Sequence, residues 1–345
     1  MFFFRADGNQ KIGSGHIMRC SSIAEALMER GEEVTFVLAD DCFEEMLREK
    51  GFPVYVLHSD YTDMDSECET LLRLIREDHI DTCIVDSYYV TDSYFEKLRN
   101  EVRTVYLDDL MDHAWPVDVL INYNIYAEES EYEELYHKAG LKKPEFVLGC
   151  SYAPLRKEFR QPISYYDKPD GKETSVFVSS GGADAEHMEL RLLKKIAADQ
   201  NRFSRVIFHF IVGRFNRDWE DLQKLAEDCP NVILHRDVTK MKEIMCQCDL
   251  AVSASGSTLY ELCCCKIPII TYVIADNQIR GAHGFEQRGA AYYEGDSRQC
   301  KDLTERILHA VLRLKTNAEV RREMSHICES LVDGRGAERI AEYLA

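Results

Sequence analysis

The chain lacks an excess of positive charge, a long apolar run and any paired-cysteine motif, and each absence removes a class of function. Against 61 Asp and Glu stand only 42 Lys and Arg, a formal net charge of -19 over 345 residues. A protein that grips duplex nucleic acid displaces counterions with a basic face, and no stretch here supplies one. No apolar run reaches the ~18 residues of a membrane-crossing helix, so no membrane insertion is expected. The opening residues lack the basic start, long apolar stretch and small-residue cleavage site of a secretory leader. No CxxC occurs, and the 13 cysteines are odd in number. Cys246 and Cys248 are too close and too isolated for a structural zinc site, and the consecutive Cys263, Cys264 and Cys265 cannot all ligate one ion without strain. Reduced, mostly buried thiols of a cytoplasmic protein are the simple reading. Two nucleotide signatures are missing as well. No GK[ST] follows a glycine loop, which excludes a Walker site. Gly13 and Gly15 fill the first two places of GxGxxG, but Met18 stands where the third needs Gly or Ala, which disfavours a nicotinamide dehydrogenase.

What is present is an alternation of apolar, β-branched runs with amphipathic helical patterns. Strands are expected at FFFRA, EVTFVL, PVYVL, TCIVD, RTVYLD and VDVLIN, then at TSVFVSS, VIFHFIVG, NVILH, DLAVSAS and PIITYVI. Such alternation implies parallel sheets covered on both faces, an α/β class. Two stretches, FFFRADGNQKIGSGHIMRC and TSVFVSSGGADAEHMELRLL, each run strand, glycine loop, helix, and each looks like the opening of its own doubly wound, Rossmann-like domain. The expected domains are 1–155 and 173–345, joined by a Pro-rich, aperiodic linker at 156–172, with the last helix a candidate to pack back on the N-terminal domain. Two such domains would face each other across a cleft, and ligands of open α/β sheets bind at the carboxyl ends of the strands.

The loops at those ends carry the candidate chemistry. In RADGNQKIGSGHIMRC the helix is expected from Met18 to Leu27, with the ionisable ring of His16 at its entrance. Further on, Ser255, Gly256, Ser257 and Thr258 join a strand to a helix with Glu261 on its first turn. Unpaired backbone N–H groups and small hydroxyls there would suit a pyrophosphate, with Glu261 accepting from ribose hydroxyls. A capping box from Ser257 or Thr258 to Glu261 explains the same residues without a ligand. Gly181 and Gly182, in SSGGAD, form a second such loop, where a backbone could approach a ligand closely.

Taken together these residues resemble a known family. The stretch HRDVTKMKEIMCQCDLAVSASGSTLYELCCCKIPIITYVIADNQ is similar to the nucleotide-sugar domain of the two-domain GT-B proteins, the MurG-like transferases among them. The first half, with GSGHIMR, DSY and YLDDL, resembles the UDP-sugar hydrolases of pseudaminic acid synthesis (PseG) and the spore-coat polysaccharide proteins of the SpsG type. YAPLRKEF and ADNQ match the same family, so the resemblance covers nearly the whole chain. It implies the GT-B fold and hydrolysis of UDP-2,4-diacetamido-2,4,6-trideoxy-β-L-altrose at the anomeric carbon, releasing UDP and the free sugar. It implies His16 as general base, with Tyr88 and Asn277 at the reacting sugar. It implies UDP or substrate contacts from Gly13, Gly15, Arg156, Gly181, Gly182, Val238, Ser255, Gly256, Ser257, Thr258, Glu261 and Gln278. No metal and no cofactor are implied, and a monomer is compatible with all of it.

The chemistry suits the residues. A glycosyl phosphate has a good leaving group, so a base for water and electrostatic help for the diphosphate would suffice, without a carboxylate pair. An imidazole, titrating near ~6.5 in water, is a suitable base. Plainer roles stand beside these. His16 could bond a loop carbonyl, Tyr88 could be packing, and Asn277 sits where turns favour Asn. The Asp108, Asp109, Asp112 and His113 cluster in LDDLMDH is read as turn capping in preference to a metal site. EESEYEELYHK reads as a solvated acidic face. Arg5, Arg19 and Arg156 are open between phosphate contacts and structural ion pairs. Two other functions compete: a GT-B glycosyltransferase passing the sugar to an acceptor, and a non-catalytic UDP-sugar binder with no need of His16.

Overall fold

A computed structural model describes residues 1–9, 11–161 and 173–345. They fall into two compact units, Met1–Lys157 with Arg335–Ala345, and Glu158–Gly334. Most of the expected linker, 162–172, lies outside the described residues.

The first unit is built on β1 (Phe2–Ala6), β2 (Val34–Leu38), β3 (Val54–Val56), β4 (Thr82–Asp86), β5 (Arg103–Leu107), β6 (Val119–Asn122) and β7 (Glu145–Leu148). All pair in parallel, in the order β3-β2-β1-β4-β5-β6-β7. The central strands are buried end to end, which is why they read as unbroken apolar runs. Alternate residues serve opposite faces. Phe2, Phe4 and Phe36 pack with Ile17, Ile23 and Leu27, while Phe3, Val37 and Val85 pack with Leu71, Ile75 and Tyr94.

The second unit repeats the plan with β8 (Thr174–Ser179), β9 (Val206–Val212), β10 (Val232–Arg236), β11 (Leu250–Ala254), β12 (Ile269–Val273) and β13 (Ala291–Asp296), in the parallel order β10-β9-β8-β11-β12-β13. In each sheet the strand order reverses between the first strand and its neighbour, β1 beside β4 and β8 beside β11. The loops leaving those four strands therefore sit at the switch points, where α/β sheets open a crevice.

The chain returns to the first unit at its end. The Gly336–Leu344 helix puts Ile340, Ala341 and Leu344 into the same core as Ile17 and Leu27. A Cβ at Gly336 would lie 2.2 Å from the Ala153 carbonyl oxygen, so only glycine allows this approach.

The structure departs from the sequence reading at two edge strands and at the start of the first helix. β7 and β13 were not expected: both are edge strands, short or carrying Glu, Gly and Asp, and neither shows a buried run. The first helix spans Gly15–Glu29, starting a turn before the expected Met18, with Met18 N–H already donating to Ser14 at 2.9 Å. No described helix is long and apolar enough to cross a membrane.

Candidate functional site

Behind β1 the chain turns through an Asx-type loop. Asn9 Oδ1 accepts from the N–H groups of Lys11 and Ile12 at 2.9 and 3.1 Å, and Asn9 and Gly13 exchange backbone bonds. Gly13 holds φ at +76°, a left-handed conformation that glycine adopts without strain. The loop delivers Gly15 and His16 to the first turn of the helix, above the switch point. Because the helix starts early, His16, Arg19 and Cys20 share one of its faces, at three- and four-residue spacing.

All three meet Asp86, the last residue of β4 and the register partner of Ala6. Asp86 Oδ1 lies 2.5 Å from His16 Nδ1. Arg19 donates from Nε to Oδ2 at 2.6 Å and from Nη2 to Oδ1 at 2.5 Å, and Cys20 Sγ lies 3.3 Å from Oδ2. Burial alone would push the Asp86 carboxyl up, but the Arg19 guanidinium, and then His16, outweigh it and hold it well below the usual carboxylate range. An ionised carboxylate only accepts, so Nδ1 carries a proton, and in the neutral tautomer the lone pair is on Nε2.

Arg19 reaches a second carboxylate. Its Nη1 donates to both oxygens of Asp109 at 2.8 and 2.7 Å, and lies 3.1 Å from the Tyr123 hydroxyl. The Tyr88 hydroxyl donates to Asp109 Oδ2 at 2.8 Å, and the Tyr88 and His16 rings meet edge to face, 4.7 Å apart. With two carboxylates against one guanidinium, the cluster keeps one negative charge when His16 is neutral.

The open question over the arginines is settled for two of them. Arg5 is fully buried and paired with Asp7 at 2.6 Å and with Glu67 at 2.5 and 3.0 Å, a structural role. Arg19 is the bridge just described, and Arg156 is half-buried near the end of the first unit. Asp108 caps its own turn, accepting from Leu110 and Met111 N–H and from the Tyr132 hydroxyl. Asp112 is exposed, and His113 pairs with Asp92 at 2.9 Å.

In the second unit the loop residues expected to hold UDP lie at the carboxyl end of one parallel sheet, together with Asn277, the expected sugar contact, while Glu261 is inside the Thr258–Cys264 helix. Gly181 and Gly182 follow β8, Val238 follows β10, Ser255 to Thr258 follow β11, and Asn277 and Gln278 follow β12. The Gly181–Gly182 loop is packed against the end of β9, where a Cβ on Gly213 would fall 2.3 Å from the Gly182 carbonyl oxygen. Its helix starts only at Met188, and Asp184 already caps it by accepting from Met188 and Glu189 N–H at 2.9 Å. This loop is thus a backbone turn set apart from its helix, unlike the direct entry expected from sequence. The buried Glu189 ties the turn down by accepting from Ser180 N–H and Asn216 Nδ2.

At the other loop, Ser257 is the residue before the Thr258–Cys264 helix and makes no side-chain capping bond, so Ser257 does not act as the cap. Ser255 does not offer a free hydroxyl, because its Oγ pairs with Thr271 Oγ1 at 2.6 Å. Gly256 is half-buried and Ser257 exposed, with open space where a Cβ on Gly256 would stand. Gln278 Oε1 accepts from Ile274 N–H at 3.0 Å and so closes its own loop, while Asn277 beside it is exposed.

No family model matches the chain. It is 26% identical over 292 residues to the UDP-2,4-diacetamido-2,4,6-trideoxy-beta-L-altropyranose hydrolase of Campylobacter jejuni, covering 83% of this chain and 96% of that protein. It is 25% identical over 344 residues to the spore coat polysaccharide biosynthesis protein SpsG of Bacillus subtilis, covering 98% and 96%. The chain is a relative of this hydrolase and SpsG group. Among solved structures, Acinetobacter baumannii MurG matches over 99% of this chain and 98% of its own, with a TM-score of 0.68 and 13% identity. The fold is GT-B, two Rossmann-like domains in tandem.

The resemblance to the hydrolase and SpsG group had pointed to His16 and Tyr88, and the structure brings those two together. Its motifs contain Arg19, Asp86 and Asp109 but gave them no role, and it did not include Asn124, whose Nδ2 donates to Asp109 at 3.0 Å. Two signals were nevertheless present. Asp86 opens the DSY phrase that ends at Tyr88, and Arg19 stands three residues after His16, on the same helical face.

Proposed function

We propose that this protein hydrolyses a UDP-linked diacetamido-trideoxy sugar, in nonulosonic acid or coat-polysaccharide synthesis. Water attacks the anomeric carbon, the bond from that carbon to the phosphate oxygen breaks, and UDP departs with the electron pair. His16 Nε2 takes the proton of the attacking water. Asp86 is a positioning residue that fixes the ring's tautomer, and the remaining negative charge of the Asp86–Arg19–Asp109 cluster steadies the imidazolium. Tyr88 and Asn277 contact the sugar. Gly182, Ser257 and Thr258 hold the diphosphate by backbone N–H groups, since those of Ser255 and Gly256 already donate to the Tyr272 and Ala254 carbonyls and that of Gly181 to Ser179 Oγ; Gly181, Ser255 and Gly256 shape the loops, and Glu261 holds the ribose and Val238 the uracil, on the second domain.

The observation that carries this reading is the His16–Asp86 hydrogen bond, which leaves Nε2 as a base, in a chain related to a named UDP-sugar hydrolase. A non-catalytic binder has no use for that arrangement. The reaction needs no metal, because backbone donors take the leaving-group charge, and chelators should leave the rate unchanged.

The test is UDP release from a panel of UDP-sugars without acceptor, with His16→Asn in parallel. Release by the wild type that is lost in the variant supports the reading. Release that survives in His16→Asn removes the base, and release only on adding an acceptor makes the protein a transferase.

A further inference from the structure

The turn that carries Asn277 is anchored on both flanks of that residue. On one flank Gln278 Oε1 accepts from Ile274 N–H at 3.0 Å, and Gln278 N–H donates to the Ala275 carbonyl at 3.1 Å. On the other, Asp276 Oδ1 lies 2.7 Å from Arg298 Nη2. The turn follows β12, and Arg298 stands just beyond β13, the edge strand beside it. Sheet register brings the two together. Val273, which ends β12, is the partner of Asp296, which ends β13, and Ser297 N–H donates to the Val273 carbonyl at 2.9 Å.

Arg298 is itself held before it reaches the turn. Its Nε donates to Asp296 Oδ1 at 3.0 Å and its Nη2 to Oδ2 at 2.7 Å, a forked contact. Its backbone N–H donates to the same Oδ1 at 2.9 Å. The Asp296 carbonyl accepts from Gln299 and Cys300 N–H at 3.1 and 2.8 Å, which closes the chain behind the carboxylate. An exposed ion pair ordinarily contributes little, because two side chains must be ordered to make it. Here Asp296, whose side chain is only 10% exposed, already fixes the guanidinium. Little beyond the short Asp276 side chain, 87% exposed, is left to order.

Resting on the reading of Asn277 as a sugar contact, we propose that Arg298 is a positioning residue whose hold on Asp276 keeps Asn277 in place. Arg298 touches no reacting atom. A carboxamide beside a reacting carbon is useful only where its hydrogen bond is aligned, and a misplacement of about 1 Å can cost about a hundred-fold in rate. Gln278 alone would leave the turn tied at one flank, free to pivot at the other. UDP is held by loops that follow other strands, β8 and β11. Loss of the Arg298 clamp therefore lowers kcat and spares UDP binding.

The experiment compares the full-length wild type with Arg298→Met, Asp276→Ala and the double variant. It measures turnover of UDP-2,4-diacetamido-2,4,6-trideoxy-β-L-altrose, calorimetric titration of UDP, and hydrogen exchange of peptides spanning 274–279. The expected result is a kcat lower by about 10–100-fold in each single variant, with UDP affinity within about three-fold of the wild type. The double variant should lose no more than Arg298→Met alone, because both substitutions remove one contact. Exchange over 274–279 should be faster in both single variants. Losses that multiply in the double variant, a wild-type kcat in either single variant, or UDP affinity falling as far as kcat would overturn the proposal. Failure of the hydrolase reading shows separately, as a wild type that binds UDP but releases none from the sugar. Exchange then decides: faster exchange keeps the clamp, and unchanged exchange in both single variants overturns it. The exposed Asp276→Ala substitution keeps the test decisive should Arg298→Met fold poorly.

Discussion

His16 Nδ1 stands 2.5 Å from Asp86 Oδ1, so the carboxylate ending one central strand dictates which nitrogen of the loop histidine is left to act. The two residues are 70 apart in the chain and meet because β1 and β4 are neighbours at the sheet's switch point. Several outcomes of this pairing can be measured.

Asp86→Asn should lower kcat by about 10²–10⁴-fold while leaving UDP affinity within a few-fold of the wild type. The asparagine amide can donate to Nδ1, which would move the ring proton to Nε2 and remove the base. Steady-state kinetics beside UDP titration checks this. Equal losses in both would give Asp86 a merely structural role.

Arg19→Met should destabilise the protein by about 3–5 kcal/mol in chemical denaturation, because it strands two carboxylates, Asp86 at 1% exposure among them. Arg19→Lys should recover only part of this, since an ammonium cannot reproduce the forked contacts to both partners. Full stability in Arg19→Met would mean that the cluster is not ionised as described.

Acid stability follows from the sign of the Asp86 shift. Its folded carboxyl lies below the ~3.9 of an unfolded aspartate, so the unfolded chain binds more protons as the pH falls. The contribution is complete above about pH 5 and is lost as the pH drops through ~4 towards the folded value. Asp108, Asp184 and Glu189 are pushed up, chiefly by burial, and act in the opposite sense, favouring the fold most below their unfolded values. They are common to wild type and variant, so the difference isolates Asp86. Melting temperatures between pH 6 and about 3 should fall more steeply for the wild type than for Asp86→Asn. Parallel curves would contradict the assignment.

Gly182→Ala and Gly256→Ala should leave stability within about 1 kcal/mol, because neither position has an atom within 4 Å of a new Cβ and neither needs a left-handed backbone. If the loops approach the diphosphate through their backbone, each methyl should weaken UDP binding by about ten-fold or more. Calorimetric titration of UDP reads this directly. Unchanged affinity in both would move the nucleotide elsewhere.

The fold was legible where burial writes itself into composition. Strands such as Phe2–Ala6 and Ile269–Val273 are buried on both faces and read as unbroken apolar runs, while the edges β7 and β13 have no such pattern. His16 stood out as an ionisable ring in a glycine loop. Asp86 did not, because a carboxylate at a strand end looks like any turn former until the sheet order places it beside β1. The same limit hid Asp109, which sat in an acidic run that read as turn capping. Asp108 does cap its turn, while its neighbour Asp109 holds Arg19 and Tyr88.

The central claim is that water, activated by His16, breaks the bond at the anomeric carbon. Turnover of the UDP-diacetamido sugar in water enriched in oxygen-18, with both products analysed by mass spectrometry, tests it most directly. The account predicts one labelled oxygen in the free sugar, none in UDP, and no label uptake with His16→Asn. Label in the phosphate of UDP, or labelled sugar formed at the wild-type rate by the variant, would contradict it.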